Sequence, residues 1–328
     1  MQLRQPAPVG AHPLTVSDLG DLAPGPGEVL VEVGACGVCR TDLQLAEGDL
    51  AARRLPVVPG HQIVGRVVAH GDGVDAPPLG TRVGVAWIAG TCGWCRFCRS
   101  GRENLCEEAT FTGWDRDGGY AEMVTARADF VYPLPADRSD LDLAPLLCGG
   151  AIGYRSLVVS GIRPGGRLGL YGFGASATCA IQIARHWDCE VFVVTRSGAE
   201  QERARDLGAA WTGSYEDRPP ELLDAAITFA PAGSVVMAAL RSLDRGGTVA
   251  INAIHLDGIP AFSYDDLWWE RSIRSVANVT RDDVATLLQL AAEIPIHTQV
   301  EPFDLVGAND ALLRLSEGRI AGAAVLRP

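Results

Sequence analysis

Basic residues are scarce in this chain, and features that mark several other classes of protein are missing. Its 328 residues include 28 Lys plus Arg against 40 Asp plus Glu, a formal net charge of −12. No basic cluster interrupts this acidity, so we expect no nucleic-acid partner. The opening MQLRQPAPVG has no apolar run, and glycines interrupt the longest nearly uncharged stretch, residues 168–184. We therefore expect neither a secretory peptide nor a membrane span, and we expect the protein in the cytoplasm.

The composition is that of a folded protein of about two domains, taking roughly 150 residues per domain. Apolar residues make up 47% of the chain and charged residues 21%, which excludes a disordered chain. Its 38 glycines and 20 prolines are spread out, and no internal repeat is visible. The nine cysteines need a reason, because disulfides are rare in a reducing compartment and clustered cysteines there indicate metal binding or catalysis.

The pattern of apolar residues changes near residue 149. Before it, β-branched segments such as 28–33 and 62–69 are separated by Gly- and Pro-rich joints, which predicts strands. After it, short apolar strands alternate with helices, which is typical of a parallel sheet covered on both faces. We predict strands at 167–171, 190–195, 225–229, 247–251 and 323–326, and helices at 175–187, 201–207, 235–243, 281–293 and 307–317.

Four cysteines lie close together in the segment TCGWCRFCRSGRENLC. Cys92, Cys95 and Cys98 are separated by two residues each, and Cys106 completes the set. Four thiolates surround Zn²⁺ tetrahedrally at about 2.3 Å, and two-residue gaps let one tight turn supply three of them. Because such a set leaves no open position, we expect a structural zinc site. Coincidental thiols or a redox pair are the alternatives.

A glycine-rich turn follows the first strand of the second half. Gly172, Gly174 and Ala177 form the pattern G-x-G-x-x-A between the strand at 167–171 and the helix after it. The first small residue permits the turn, the second lets a pyrophosphate approach the backbone, and the third lets helix and strand pack closely. Within a βαβ unit this pattern predicts a dinucleotide site at the helix N-terminus.

The end of the next strand bears on the choice of cofactor. Enzymes that use NAD usually place Asp or Glu there to hold the ribose 2′-hydroxyl. Here the chain reads Thr195-Arg196-Ser197, with no carboxylate. An arginine between hydroxyls favours a 2′-phosphate, so we predict NADP(H) over NAD(H). The alternative is a solvent-facing Arg196 without preference.

Four further motifs carry a resemblance that runs nearly end to end. They are GVCRTD at 37–42, GHQIVG at 60–65, DGGYAE at 117–122 and LLCGG at 146–150. With the cysteine segment, they make the chain resemble the zinc-dependent medium-chain alcohol dehydrogenase family, especially its propanol-preferring branch. The resemblance implies an α/β fold in which a GroES-like β-rich catalytic domain accompanies a doubly wound parallel-sheet (Rossmann) cofactor domain. The expected ranges are 1–149 and 150–278, with 279–328 returning to the catalytic domain.

The resemblance also implies a second, open zinc site. Cys39, His61 and Cys148 match the catalytic ligands, Asp42 matches a carboxylate that orients the histidine, and Thr41 matches a hydroxyl that passes the substrate proton. Two thiolates and an imidazole balance the +2 charge and leave a fourth position open for substrate oxygen or water. The spacing of these residues alone does not identify them, because a lone His or Cys is usually structural.

Other positions keep two interpretations. Arg40 matches a pyrophosphate contact but could be a surface arginine, and Trp87 and Trp114 could wall the substrate pocket or fill the core. Cys36 could pair with Cys39 in a CxxC redox motif. The remaining assignments are core positions for Cys179 and Cys189, and either a subunit contact or core for the segment 259–269, since related enzymes are dimers or tetramers.

Two positions depart from the family pattern. Gln62 replaces a glutamate behind the zinc and binds zinc more weakly, and Gln44 replaces a histidine of the proton relay and cannot titrate near neutral pH. Arg319 is close in sequence to, but not at, the place of a second pyrophosphate arginine.

Taken together, the sequence predicts a zinc-dependent oxidoreductase with two Zn²⁺ per chain, acting on a small alcohol/aldehyde or ketone pair with NADP(H). An NADPH-dependent reductase of conjugated C=C or C=N substrates is the second hypothesis, because the two glutamines weaken groups suited to alcohol oxidation. A non-catalytic cofactor-binding relative is the third. The physiological substrate, the favoured direction and the oligomer size stay open.

Overall fold

A computed structural model describes residues 1–253 and 256–328, which form two compact units. The first unit consists of Met1–Cys148, Asn278–Ala292 and His297–Pro328, and the second consists of Gly149–Ala277 and Glu293–Ile296. Each unit has its own hydrophobic core. In the described part of the chain no single helix is long and apolar enough to cross a membrane, although one bent pair, Asp140–Leu147 with Gly149–Ser160, reaches that length and composition together.

The strands and helices of the described residues are numbered in chain order. The strands are β1 Gln2–Leu3, β2 Leu14–Thr15, β3 Glu28–Gly37, β4 Ile63–His70, β5 Arg82–Val85, β6 Ile88–Gly90, β7 Thr110–Phe111, β8 Met123–Arg127, β9 Val131–Pro133, β10 Arg167–Tyr171, β11 Glu190–Val194, β12 Trp211–Gly213, β13 Leu223–Thr228, β14 Leu243–Ile251, β15 Ser272–Ser275, β16 Val300–Asp304 and β17 Ala323–Arg327. The helices are α1 Arg40–Glu47, α2 Arg96–Arg99, α3 Asp140–Leu143, α4 Gly149–Ser160, α5 Ala175–His186, α6 Gly198–Asp206, α7 Gly233–Arg241, α8 Tyr264–Leu267, α9 Arg281–Glu293 and α10 Ala308–Ser316.

The first unit is built on a sheet in the order β16-β17-β3-β4-β5-β9, with β8 also paired to β3. The long strand β3 alternates buried and solvent-facing residues, as a strand must when only one of its faces meets a core. Its pairings with β4, β8 and β17 are antiparallel. β3 therefore organises the unit, and its end leads directly into the segment that carries Cys39.

The second unit contains a six-stranded sheet in the order β12-β11-β10-β13-β14-β15, with all neighbours parallel. In chain order this is the arrangement 3-2-1-4-5-6 of a doubly wound dinucleotide fold. The order in which successive strands join the sheet reverses between β10 and β13. The carboxyl end of β10 therefore lies at the switch point, where such folds bind ligands. This part of the predicted fold class is confirmed.

The helices differ from the predictions at several places, since α1 and α4 were not predicted and α7 begins at Gly233 rather than 235. The sequence analysis did not predict α4, a largely buried helix that begins with two glycines. α6 begins at Gly198 rather than 201, because the Ser197 hydroxyl caps it by accepting the amide of Glu200 at 3.3 Å. The strand before it ends at Val194, one residue earlier than predicted.

Candidate active site and cysteine lobe

Three donor side chains from distant segments meet in the first unit. Cys39 precedes α1, His61 precedes β4, and Cys148 lies between a 3₁₀ turn and α4. Their ligand atoms all lie within 4.8 Å of one another, and the Sγ atoms of Cys39 and Cys148 are 3.8 Å apart. Two sulfurs bound at 2.3 Å to one tetrahedral ion are separated by about 3.8 Å. The donor set therefore fits zinc with one corner left for another ligand.

A single carboxylate bonds to two members of this trio, Cys39 and His61. Asp42 is 2% exposed, and one of its oxygens accepts the backbone amide of Cys39 at 2.8 Å. Its other oxygen accepts the amide of Gly60 and Nδ1 of His61, both at 3.2 Å. Because Nδ1 of His61 is occupied by this bond, Nε2 is the nitrogen left for a metal. The structure thus places Asp42 where the sequence predicted, as the partner of His61.

Tyr120 is a fourth donor to Asp42 that the sequence analysis did not single out. Its hydroxyl donates to Asp42 at 3.2 Å, and its side chain is fully buried. The ring packs against Gly60, where an added Cβ would lie 2.4 Å from a Tyr120 ring carbon. Gly60 also has a φ of +97°, so glycine is required there on both counts. The available signal was the DGGYAE motif, which contains Tyr120.

Of the three donors, only Cys39 has a pKa shifted toward the form that binds a cation. The hydrogen bond from the Cys148 thiol lowers the pKa of Cys39 well below its usual range, although burial opposes this. The same bond and burial raise the pKa of Cys148. Burial works against the His61 imidazolium, but the charges and hydrogen bonds of Asp42 and Cys39 together raise the pKa of His61 to about 10. The raised pKa values of Cys148 and His61 favour their protonated forms. A metal must displace these protons, so metal binding competes with protonation.

The other predicted neighbours fall at different distances from this centre. Thr41 is 8% exposed, and its hydroxyl lies 3.8 Å from Sγ of Cys39. Arg40 is exposed at the first position of α1. Gln62 is 5% exposed and packs against Gly37, while Oε1 of Gln44 is buried and accepts no hydrogen bond from the described residues.

Aromatic side chains line one side of His61. The Trp87 ring meets the His61 ring edge to face, with centroids 4.8 Å apart. Trp87 stacks on Phe111 at 5.0 Å and on Trp114 at 5.9 Å. The guanidinium of Arg53 covers Trp114 at 3.8 Å from the ring centroid. Both predicted tryptophans therefore belong to one stack beside the donor trio, and Phe111 is a member that the sequence analysis missed.

The four-cysteine lobe gathers its sulfurs as predicted from their spacing. The Sγ separations are 3.9 Å for Cys92–Cys98, 3.5 Å for Cys95–Cys98 and 3.6 Å for Cys92–Cys106. These values lie close to the tetrahedral edge of about 3.8 Å. The backbone amide of Cys98 lowers the pKa of Cys95 to about 7, and burial raises the pKa of Cys106 to about 12. The lobe therefore fits a fully coordinated zinc ion.

The glycine-rich turn leaves room for a bound group. Gly172 has a φ of +90°, and an added Cβ would lie 3.1 Å from the Ala230 amide nitrogen. At Gly174 an added Cβ would meet no protein atom within 4 Å, and no side chain caps the N-terminus of α5 there. Ala177 is fully buried, as close helix–strand packing requires. Open space at an uncapped helix N-terminus fits a pyrophosphate.

A carboxylate that the sequence analysis overlooked lies at the end of β11. The hydroxyl of Thr195 donates to Glu200, which α6 brings back toward the strand. Arg196 and Ser197 are exposed, and the Arg196 guanidinium lies 5.7 Å from the centre of the Tyr215 ring. The end of β11 therefore has both a positive and a negative side chain nearby. Glu200 is five residues after Thr195 in the chain, and α6 brings it back to the strand.

The structure bears on two open alternatives: a Cys36–Cys39 redox pair, and a core position for the segment 259–269. All nine cysteines are free thiols, and Cys36 is fully buried in β3, with its thiol directed to the Gly37 carbonyl. No Cys36–Cys39 disulfide is therefore present among the described residues. Cys179 and Cys189 are core residues of the second unit, as predicted. Within 259–269, Tyr264, Trp268 and Trp269 are 67%, 49% and 50% exposed, so the core alternative is wrong for them.

Arg319 belongs to a different unit from the glycine-rich turn. It lies in the first unit, is exposed and pairs with Glu317 two residues earlier. The sequence assigned no role to it, and this local pair accounts for its charge.

Comparisons with known proteins agree with this architecture. Residues 25–136 match the family described as "Alcohol dehydrogenase GroES-like domain", and residues 175–293 match the family "Zinc-binding dehydrogenase". The "probable alcohol dehydrogenase AdhA" of Mycobacterium tuberculosis is 50% identical over 331 aligned residues, covering 99% of this chain and 96% of that protein. An alcohol dehydrogenase of Geobacillus stearothermophilus is 36% identical, covering 92% of this chain and 91% of that protein.

A solved structure extends the comparison to the fold. The acetophenone reductase of Geotrichum candidum in complex with NAD superposes with a TM-score of 0.85 at 29% identity, covering 96% of this chain and 94% of that one. The GroES-like part of the predicted fold is thereby confirmed, and the second unit matches a zinc-binding dehydrogenase family. On these matches, the chain belongs to the zinc-type medium-chain alcohol dehydrogenase family and is an alcohol oxidoreductase.

Proposed function

We propose that this protein transfers hydride between NADP(H) and a small alcohol/aldehyde or ketone pair, with Cys39, His61 and Cys148 holding the catalytic zinc. The observation that carries the proposal is the convergence of these three donors, whose two sulfurs lie 3.8 Å apart although 109 positions separate them in the chain. Three donors leave a fourth position for a substrate oxygen. A second zinc in the four-cysteine lobe would be structural, because that set leaves no position open.

A zinc ion in this site supplies polarisation of the substrate oxygen, and the nicotinamide supplies or accepts the hydride. The protein's own side chains prepare that event. Cys39 and Cys148 balance the metal charge, and Asp42 fixes the ring of His61 through Nδ1. Thr41, whose hydroxyl lies beside Cys39, would hold the substrate oxygen and pass its proton. Gln44 cannot titrate, so the proton would leave through water or the cofactor ribose.

The surroundings of the trio favour small or flat substrates. Trp87 contacts His61 directly, and Trp114 stacks behind it. Indole rings so close to the donors leave little width for a branched chain. We therefore propose Trp87 as a wall of the substrate pocket, with Trp114 supporting it.

The cofactor preference would depend on two opposed charges at the end of β11. Arg196 and Ser197 suit a 2′-phosphate, while the Glu200 carboxylate beside Thr195 suits a ribose hydroxyl. We propose that NADP(H) is favoured, because Arg196 is exposed, whereas the Glu200 carboxylate already accepts the Thr195 hydroxyl. Arg40, exposed beside Cys39, would contact the pyrophosphate.

This preference is tested by two single substitutions. Arg196→Ala should raise the KM for NADPH about tenfold or more with little change for NADH, because one charge-assisted contact is lost. Glu200→Gln should lower the KM for NADPH, because repulsion of the phosphate is removed. An unchanged NADPH KM in Arg196→Ala would refute the preference.

The reaction itself is tested by metal analysis with a substrate panel. We expect two zinc ions per chain and NADPH oxidation with short aldehydes. Turnover with enals or imines alone would support the second hypothesis, a conjugated C=C or C=N reductase. Tight NADPH binding without turnover of any class would support the non-catalytic hypothesis.

Assembly is the last element of the proposal. The exposed aromatic side chains of 259–269 shortly precede, in the chain, the edge strand β15 of the second unit. We propose that they contact a second copy in a homodimer or homotetramer, which light scattering of wild type and Trp268→Ser would test.

A further inference from the structure

We infer that Asn278 sets the shape of the substrate pocket by fixing the indole ring of Trp87. Nε1 of Trp87 donates to Oδ1 of Asn278 at 3.1 Å. Asn278 is a positioning residue, since it acts through Trp87. The inference rests on the proposed function in one respect: Trp87 matters to specificity only where it walls the substrate pocket.

The stacking contacts of Trp87 do not by themselves fix its orientation. Trp87 lies nearly parallel to Phe111 and Trp114, at interplanar angles of 23° and 16°. Stacked rings can slide or turn within their plane at little cost, because dispersion is weakly directional. A hydrogen bond at Nε1 removes that freedom by selecting one in-plane orientation. It thereby decides which edge of the indole meets His61, at a centroid distance of 4.8 Å.

Asn278 is suited to this role by both its side chain and its backbone. The indole nitrogen is only a donor, so it must face the amide oxygen of Asn278. The φ of Asn278 is 55°, in the left-handed region that asparagine tolerates better than most other residues. A branched apolar residue would lose the acceptor and strain the backbone together. Sequence pattern gave no sign of this residue, because its partner is 191 positions away.

The backbone after Asn278 is anchored, so the acceptor is held in place. Val279 and Thr280 are both 4% exposed. The Thr280 amide and hydroxyl donate to Asp283 at 2.7 and 2.8 Å, and the Asp283 amide donates back to the hydroxyl at 3.1 Å. This reciprocal cap starts α9 immediately after Asn278.

A second anchor ties this helix start to the cysteine lobe. Glu103 accepts the backbone amide of Arg281 at 2.8 Å and receives the Arg281 guanidinium at 2.8 to 3.1 Å. Glu103 is 8% exposed and lies three residues before Cys106. The lobe therefore supports the segment that carries the acceptor for Trp87.

The test uses two substitutions that separate the acceptor from the backbone. Asn278→Gly keeps the left-handed conformation and removes the acceptor. Asn278→Asp keeps the left-handed conformation and the acceptor oxygen. Its added charge affects two uncharged alcohols alike, so that effect cancels in the ratio of their kcat/KM values on this variant. We expect the kcat/KM ratio of a branched over a straight short-chain alcohol to rise about tenfold in Asn278→Gly. The ratio in Asn278→Asp should stay within about twofold of wild type, and both variants should keep the melting temperature to within about 3 °C.

Trp87→Phe is the matched control, because it keeps a stacked ring without an N–H group. In that background, Asn278→Gly should no longer change the ratio of the two alcohols. An unchanged ratio in Asn278→Gly alone, or the same rise in the Trp87→Phe background, would overturn the inference.

A measurement without turnover examines the contact directly. In ¹⁵N-labelled protein the Trp87 indole N–H signal is identified by its loss in Trp87→Phe. We expect that signal to move upfield and to exchange faster with solvent in Asn278→Gly, but to keep its position in Asn278→Asp. A signal unaffected by Asn278→Gly would refute the hydrogen bond. If wild type turned over no alcohol while the signal responded, the proposed function would fail and the contact would stand.

Discussion

The cysteine lobe and the donor trio are two candidate metal sites that the chain assembles in different ways. Fourteen positions separate Cys92 from Cys106, whereas 109 separate Cys39 from Cys148. A short loop brings its ligands together at a low entropic cost, and the ion itself can organise it. Ligands from distant segments require the fold to place them first. Under the proposed function, the difference in ligand spacing therefore has a consequence: an ion would help to shape the lobe, whereas the fold places the trio before an ion binds.

The two regions also differ in their surroundings. The lobe's sulfurs contact chiefly one another and nearby backbone amides. In the trio, Cys39 and His61 are both bonded to Asp42, which accepts four hydrogen bonds, from Cys39, Gly60, His61 and Tyr120. The regions nevertheless touch, because Trp87 and Trp114 pack into the small core formed by Cys106, Ala109 and Phe111. A change in the lobe can therefore reach the proposed pocket.

The largest expected effect separates the two ions. Cys148→Ser should remove one zinc per chain and lower kcat by about a thousandfold or more, because the open site loses a ligand. It should change the melting temperature little, since the fold already places the other donors. Cys98→Ser should remove the other zinc and lower the melting temperature by roughly 10 °C. Metal analysis, thermal melting and initial rates measure the three outcomes.

A reversed pattern would break the comparison. Loss of stability in Cys148→Ser with full stability in Cys98→Ser would mean that the trio, and not the lobe, depends on its ion for folding.

An intermediate effect concerns the support of His61. Asp42→Asn keeps the shape of the side chain but removes its charge, so kcat/KM and zinc retention should each fall about 10- to 100-fold. Zinc release to a chelator and steady-state rates check this. Tyr120→Phe is the matched smaller change, because it deletes one of four hydrogen bonds and leaves the ring against Gly60. Its effect should stay below about tenfold. Equal losses in both variants would contradict this ranking, because Tyr120→Phe removes only the hydroxyl and keeps the packing of the ring.

The smallest effect is a dependence of stability on pH. Glu28 at the start of β3 pairs with Arg116. Close to Arg116 in the chain, the amides of Gly118 and Tyr120 donate to carbonyls of Val58 and Pro59, shortly before His61. Burial raises the pKa of Glu28, but the hydrogen bonds from Arg116 and the Gly25 amide, with the charges of Arg116 and Arg127, together lower it below 4.5. The contribution is therefore present above pH 4.5 and is lost as the pH falls through the lowered value.

Glu28→Gln should remove that contribution. Because both side chains are partly exposed, we expect the free energy of unfolding to fall by about 1 kcal/mol at pH 7. The difference from wild type should shrink toward zero below about pH 4. Urea unfolding at several pH values measures it, and a difference that grows toward acid would contradict the assigned sign.

Local signals predicted one part of the molecule and missed another. The cysteine spacing, the glycine turn and the alternating apolar segments each lie within a few residues, so the lobe, the turn and most strands could be read from them. Glu200, Tyr120 and Asn278 act on partners 5, 78 and 191 positions away, and no local pattern marks such pairs. Cys39, His61 and Cys148 were recognised only through motifs of a family, since their spacing carries no signal of its own.

The sequence by itself determined the four-cysteine lobe, the dinucleotide turn and the two-part architecture, because neighbours along the chain and apolar periodicity are sufficient for these. Tertiary structure decided the rest: which oxygen of Asp42 meets His61, which carboxylate returns to Thr195, and which amide oxygen meets the Trp87 indole. The physical reason is that hydrogen bonds and ring contacts act over a few ångströms of space, whatever number of residues lies between the partners.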